Sequence, residues 1–186
     1  MIGRRVDKSV EQIIDEILVM DCQSGRAKAL ELLVTRWQKR LWQYAYNLTE
    51  NIEAAWDITQ ESWLGIIRGI GRLDDPARFR PWAYRIVTNK VNDWIRKSAK
   101  TMQTQTDRIV EKQKPNELSK AETSSDIHSV MRRLSNQSRM VLTLYYLEEF
   151  GLADVARILQ IPKGTVKSRL HTARKELKEI WQQNIE

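Results

Sequence analysis

Cysteine and histidine are almost missing from this chain. Cys22 is the only cysteine, and His128 and His171 are the only histidines, in 186 residues. A single thiol excludes an internal disulfide framework and suits a reducing compartment, so a cytoplasmic location is expected. The three side chains lie far apart in sequence, without the spacing of a metal site, and no metal or cofactor is expected. Glycine and proline are scarce, at 7 and 4 residues. Strand-like alternation of apolar and polar residues is absent too, which argues against a β architecture. No apolar run approaches the ~18 residues of a spanning helix. The N-terminal MIGRRVDKSVEQ has no apolar core or small-residue cleavage site, so no signal peptide is expected. There is no Gly-rich phosphate loop, and no carboxylate falls in a recognisable acid–base motif, so an enzyme is not expected. Acidic residues are also in deficit: 31 Lys and Arg face 24 Asp and Glu, a formal charge of +7. That imbalance points to a polyanionic partner, either nucleic acid or an anionic membrane surface.

Everything ordered reads as helix, and the fold class is all-α: two small helical domains joined by a flexible linker. The spacing predicts a short amphipathic helix over Val10–Met20, with Val10, Ile13, Ile14, Ile17 and Leu18 as its apolar side. Gly25 suits a left-handed residue at a turn. A longer helix is expected over Arg26–Leu48, offering Ala29, Leu32, Leu33, Leu41, Tyr44, Ala45 and Leu48 to a core. Asn51 is a plausible N-cap for a third helix reaching about Ile70. A fourth runs to about Lys97 with Ala83, Val87, Val91, Trp94 and Ile95 inward. Its start is open between Pro76, which would leave Pro81 inside the helix as a kink, and Pro81 itself. The domains are placed at 1–98 and 126–186, with 99–125 as a polar linker without apolar period. In the second domain Ile127, Val130, Met131 and Leu134 make one short helix. Ser135 caps another, Asn136–Glu149, with Met140, Val141, Leu144 and Leu147 inward.

The C-terminal third carries the strongest pattern. Leu152–Gln160 reads as a short helix with Val155, Ala156 and Leu159 inward. In the stretch IPKGTVKSRLHTARKEL, Pro162 suits a first helical position, and Val166, Leu170, Ala173, Leu177 and Trp181 recur on one buried face. The opposite face carries Gly164, Lys167, Ser168, His171 and Lys175, and Glu176 alone interrupts the basic run. A short helix, a tight turn and a basic second helix make a helix-turn-helix, whose second helix can enter the major groove.

Two more stripes stand out. Asp57, Gln60, Glu61, Leu64 and Arg68 share one side of the third helix, either as a docking surface or as its wet face. On the fourth, Trp82, Arg85, Asn89, Asn92 and Arg96 line the side away from the core. Arg suits phosphates, Asn suits base edges, and an unstacked base can rest on Trp, although Trp82 could also pack beneath the preceding loop.

FRPWAYRIVTNKVNDWIRK, Phe79 to Lys97, resembles the promoter −10 recognition helix of bacterial sigma factors. AAWDITQESWLGIIRGI, with Asp57, Gln60 and Glu61 in D-x-x-Q-E spacing, resembles their polymerase-binding helix. GTVKSRL with Ala173 and Arg174 resembles their −35-reading helix. Two regions joined by a short linker, with nothing between them, resemble the extracytoplasmic-function group.

The resemblance implies a transcription initiation factor. Asp57, Gln60, Glu61 and Leu64 would dock on the clamp helices of the largest subunit of core RNA polymerase, and the flap of the second largest subunit would be a further partner. Trp82, Arg85, Asn89, Asn92 and Arg96 would hold the −10 element and help capture an unpaired base, offsetting an extrusion cost of roughly a few kcal/mol. At the −35 element Lys167 and Ser168 would meet base edges. Lys163, Thr165, Arg169 and Arg174 would meet phosphates, and His171 would face DNA. An anti-sigma factor is an expected partner and could hold the chain at the inner face of the membrane; no small-molecule substrate is expected. Four departures from the family pattern are visible: Thr172 in place of a second basic residue, Gly151 in place of a Ser cap, Pro81 near the start of the fourth helix, and Gln160 in place of a turn Gly. If that backbone needs positive φ, Gln160 carries strain. A stand-alone helix-turn-helix regulator would explain the last third but leave the third- and fourth-helix stripes without purpose. A membrane-surface protein would gather its basic residues on one amphipathic helix.

Overall fold

The computed structural model describes residues 8–106 and 130–183. Among the described residues the regular structure is helical throughout: α1 (Lys8–Gln23), α2 (Ala27–Thr49), α3 (Ile52–Gly69), α4 (Phe79–Thr106), α5 (Asn136–Leu142), α6 (Leu152–Leu159) and α7 (Lys163–Gln183). The described residues divide into two units, one holding those up to Val91 together with Arg157–Leu159 and the other holding the rest, so that one boundary falls within α4.

In the first unit α2 is the central element, and its buried residues are Ala29, Leu33, Trp37, Leu41, Tyr44, Ala45, Leu48 and Thr49. Leu32, expected in the core, is exposed, because its position turns it away from the face that carries Leu33 and Trp37. The α1 face is also rotated from expectation. Val10, Ile13, Ile14 and Ile17 are 37–53% exposed, while Asp15, Leu18 and Val19 are buried. The cause is Asp15, whose Oδ1 accepts from Arg36 Nε and Trp37 Nε1, both at 3.0 Å. A buried carboxylate needs such donors, and meeting them fixes which side of α1 faces α2.

Gly25 has φ 81, as a left-handed turn residue should. Asn51 caps α3, its side chain accepting from the Ala54 N–H at 2.9 Å. After α3 come two 3₁₀ turns, Ile70–Arg72 and Pro76–Arg78, the second capped by Asp75. α4 then begins at Phe79. Pro81 therefore sits in the first turn, where a missing N–H costs nothing, and neither expected start applies. Ala83, Tyr84, Val87, Thr88 and Val91 are buried, whereas Trp94 and Ile95 are only half-buried. α4 continues as helix to Thr106. The first residues assigned to the linker are thus helical, and the rest of it, 107–125, lies outside the described residues, as do Ile127 and His128.

Among residues 130–173, Val130, Leu134, Met140, Val141, Leu144, Phe150, Val155, Ile158, Val166, Leu170 and Ala173 are buried. Ser135 caps α5 by accepting from the Ser138 N–H at 3.3 Å. α5 is shorter than expected, because Thr143–Leu147 is a π-helical turn. The extra residue in that turn rotates Leu147 outward, against expectation. On α6, Val155 and Ile158 are fully buried while Ala156 and Leu159 are half-buried, one position away from the expected face. Gly151 takes the N-cap position with extended backbone and no side-chain cap. Gln160 ends α6 at φ 56, ψ 41, so the turn does use the left-handed region. Pro162 lies just before α7, its carbonyl accepting from the Val166 N–H at 3.1 Å. Leu177 is half-buried and Trp181 43% exposed, so the buried stripe of α7 ends near Ala173.

Candidate nucleic-acid and protein interfaces

Three surfaces carry the sequence candidates. On α3, Asp57, Gln60, Glu61, Leu64 and Arg68 are all exposed, opposite the buried Ala55, Ile58, Thr59, Ser62 and Ile66. The helical period places them there: the inward positions of α3 are small, aliphatic or hydroxyl-bearing except for the buried Trp63, and Thr59 and Ser62 satisfy themselves by donating to Ala55 and Ile58 carbonyls. Apolar side chains flank the polar stripe. Trp56, Leu64 and Ile67 are 42%, 53% and 45% exposed. Sequence reasoning missed Trp56 and Ile67, although an apolar residue at an outward helical position was the available signal. Trp56 leans on Trp42, which in turn stacks on Tyr46 at 5.3 Å. With Val34, Thr35, Gln38 and Lys39 the two tryptophans line a cavity of about 400 Å³. Polar groups flanked by one exposed tryptophan and two exposed aliphatic side chains suit a protein partner better than water alone.

On α4, Arg85, Asn89, Asn92 and Arg96 are exposed along one side. Trp82 is half-buried and stands at the head of that row. Its ring packs against Phe79, with centroids 6.2 Å apart, and closes on Gly69, where a Cβ would lie 2.8 Å from Trp82 Cζ2. Trp82 thus packs against the end of α3, as one of its two expected readings has it, and remains half-buried rather than buried. A ring fixed in this way can receive a base at little ordering cost. Arg96 pairs with Asp93 at 2.7 Å. Glu61 meets Lys90 of α4 at 2.6 Å, which ties the α3 stripe to the next helix. Both partners are exposed, so the pair adds little stability.

On α7, Lys163, Lys167, Ser168, His171 and Arg174 are exposed, and Thr165 and Arg169 are half-buried. Val166, Leu170 and Ala173 face the core and hold the basic side outward. Ser168 Oγ donates to the Thr165 carbonyl at 3.0 Å, which leaves its oxygen as an acceptor. Arg174 is already engaged, its Nε donating to Tyr146 Oη at 2.9 Å. Tyr146 was not among the sequence candidates.

Among the described residues no group of three or more His, Cys, Asp or Glu side chains could hold a metal ion. Cys22 is half-buried, and burial first, then the Asp21 charge, pushes its thiol upward, away from the thiolate needed for nucleophilic chemistry. No described helix is long and apolar enough to cross a membrane.

Comparison with known proteins bears on the chain as a whole. Residues 33–101 match the family model for Sigma-70 region 2, and residues 124–177 match that for Sigma-70, region 4. The ECF RNA polymerase sigma factor SigW of Bacillus subtilis (strain 168) is 29% identical over 175 residues, 86% of this chain and 92% of that one. The RNA polymerase sigma-H factor of Pseudomonas aeruginosa is 25% identical over 181 residues, 90% of this chain and 94% of its own. Among solved structures, CnrH in complex with the cytosolic domain of CnrY superposes with a TM-score of 0.67 at 23% identity, covering 91% of this chain and 97% of CnrH. The sigma factor RpoE of Bartonella quintana, solved with the anti-sigma factor NepR, gives 0.69 at 20% identity, covering 84% and 98%. These two likenesses are of fold.

Proposed function

The chain belongs to the sigma-70 family of RNA polymerase sigma factors, in its extracytoplasmic-function group, and on that premise we propose how its residues divide the work of promoter recognition. As a sigma factor it binds core RNA polymerase and directs promoter-specific initiation. Residues 1–98 form the polymerase-binding and −10 domain, 99–125 connect, and 126–186 form the −35 domain. Asp57, Gln60, Glu61 and Leu64 dock on the clamp helices, with Trp56 and Ile67 supplying apolar contact beside them. Arg85 and Arg96 hold phosphates of the −10 element, Asn89 and Asn92 meet base edges, and Trp82 backs an unpaired base. On the −35 side, Lys167 and Ser168 read bases, while Lys163, Thr165, Arg169, His171 and Arg174 border them. The chain acts in the cytoplasm, carries out no catalytic step itself, and is held in check by an anti-sigma factor covering these faces.

One observation carries the reading: none of the candidate residues is buried, although each lies on a helix whose other side is core. Neither domain need bind its element tightly alone. Tethering both to polymerase raises their effective concentration at the promoter.

Run-off transcription on a genomic-fragment library, with purified core polymerase and with or without the protein, tests this directly. Discrete new start sites preceded by two shared elements are the expected result. Sequence-specific binding by the protein alone, without new transcripts, would instead mean a stand-alone regulator. Asp57→Ala with Glu61→Ala should weaken polymerase binding while leaving the fold intact; unchanged affinity would move the docking face elsewhere. For the inhibitor, a pulldown from unstressed cells should return one stoichiometric partner, and its absence would end that part of the proposal.

A further inference from the structure

The π-helical turn at Thr143–Leu147 has a consequence at the DNA-facing helix. Such turns gather at functional sites, because an extra residue re-aims the side chains around it. Here the Glu148 N–H reaches back to the Thr143 carbonyl at 2.9 Å, and Glu149 follows at φ 53. Leu144 stays buried, and Tyr146 is turned out to 52% exposure. Tyr145 braces it edge-on, with ring centroids 4.9 Å apart and planes at 82°. Tyr146 Oη then accepts from Arg174 Nε at 2.9 Å, and the guanidinium carbon sits 5.9 Å from the Tyr146 ring centroid.

This geometry selects how Arg174 can act. With Nε given to the tyrosine, the two terminal Nη groups are the donors presented to a partner. A guanidinium offers a planar fork suited to phosphate oxygens, and fixing it in advance removes part of the ordering cost of binding. Arg174 lies one turn beyond His171 on the exposed side of α7, where the flank of a groove-bound helix meets the DNA backbone. We infer that Tyr146 is a positioning residue for promoter binding: it holds Arg174 so that its terminal amino groups meet a backbone phosphate beside the −35 element. This rests on the sigma-factor reading. A tyrosine that merely clipped the π-helical turn to α7 would leave the electrostatics of binding untouched.

The test uses full-length protein assembled with core polymerase, on a promoter found by run-off transcription, with affinity measured across a salt series. Arg174→Gln should lower affinity about tenfold, equally on every −35 variant, and reduce the slope of log affinity against log salt by about 0.9. Tyr146→Phe keeps the ring and removes the oxygen. It should cost about threefold in the wild-type background and nothing further beside Arg174→Gln, with Tm unchanged. Three results would each overturn the inference: the same loss from Tyr146→Phe in both backgrounds, no loss in the wild type, or an unchanged salt slope for Arg174→Gln. A fall in Tm with additive losses would mark Tyr146 as structural and overturn it too. Failure of the wild-type complex to bind any promoter is a separate outcome, visible without either variant; it would sink the sigma reading and this inference with it.

Discussion

The two units reach stability by different means. In the first, the core is aromatic and pinned by polar groups. Trp37, Tyr44, Phe79 and Tyr84 are essentially fully buried, with Trp37 edge-on to both Phe79 and Tyr84 at 5.8 and 6.3 Å. Asp15 ties α1 to α2, and Tyr44 Oη meets Thr88 Oγ1 at 2.8 Å. Because the Thr88 hydroxyl donates to the Tyr84 carbonyl, Tyr44 must be the donor in that pair. In the second unit the core is mostly aliphatic, with Arg139 as a buried polar exception, and more of the specific features are in the backbone: a π-helical turn and two left-handed residues, Glu149 and Gln160, against Glu50 alone among non-glycine residues described in the first. The difference would suit the tasks proposed above. A wall that is to receive an unstacked base should be rigid, and satisfied buried polar networks rigidify a core. A helix that enters a groove need only be aimed, and a turn does that.

Removing the hub of the aromatic core should have the largest effect. Trp37→Ala deletes a fully buried indole and its bond to Asp15, and should cost about 3–5 kcal/mol. Unfolding in denaturant, followed by probes in each unit, should show only the first unit destabilised. If both transitions move together, the two units do not fold independently and the contrast fails. Next comes Gly69→Ala. Its Cβ would stand 2.8 Å from Trp82 Cζ2, so the indole must shift. Overpacking of this kind costs about 1–3 kcal/mol. Strand opening at −10, read by permanganate reactivity of unpaired thymines, should fall, while −35-dependent binding by the polymerase complex persists. Normal opening would mean that Trp82 need not be wedged to work.

Much of this was legible in the sequence, and the misses have physical causes. Helical period and caps gave the elements and the exposed faces of α3, α4 and α7, because a helix that buries Val166, Leu170 and Ala173 has no choice about where Lys167 and Ser168 go. Periodicity could not see Asp15. Of the five apolar residues that looked like the buried side of α1 only Leu18 is buried, because a carboxylate with two donors on α2 sets the rotation. Nor could it see the π-helical turn, since one inserted residue shifts every later position while leaving composition unchanged. That shift misplaced Leu147 and hid Tyr146. The wedge of Trp82 against Gly69 depends on two helix ends meeting, which no local pattern records.

The contrast also predicts where specificity sits. Lys167 is exposed on α7, with its helix fixed by core contacts, so Lys167→Ala should leave stability unchanged. It should weaken −35-dependent initiation by about 1–3 kcal/mol if the ammonium meets a base edge. The loss should then concentrate on promoters carrying the preferred base at one position. Equal loss on all −35 variants, with a smaller salt slope, would move Lys167 to the phosphates and leave Ser168 as the main reader.

The smallest effect bears on whether the second unit really stores its strain in the backbone. Gln160 holds φ 56, ψ 41 at the turn of the helix-turn-helix, and its N–H bonds the Ala156 carbonyl, so the conformation is required by the helix end it closes. For a residue with a Cβ this region costs about 1–2 kcal/mol; glycine is free of that penalty. Glycine also widens the unfolded ensemble, which takes back about 0.4–1 kcal/mol. Gln160 is exposed, so no side-chain packing is lost. Gln160→Gly should therefore stabilise the second unit by about 0.8 kcal/mol, the difference between the midpoints of those two ranges. Its unfolding midpoint should rise while that of the first unit and the −35 affinity stay where they are. A lower midpoint would mean that glutamine sits comfortably in the turn, and the backbone strain assigned to this unit would have to be borne by Glu149 and the π-helical turn alone.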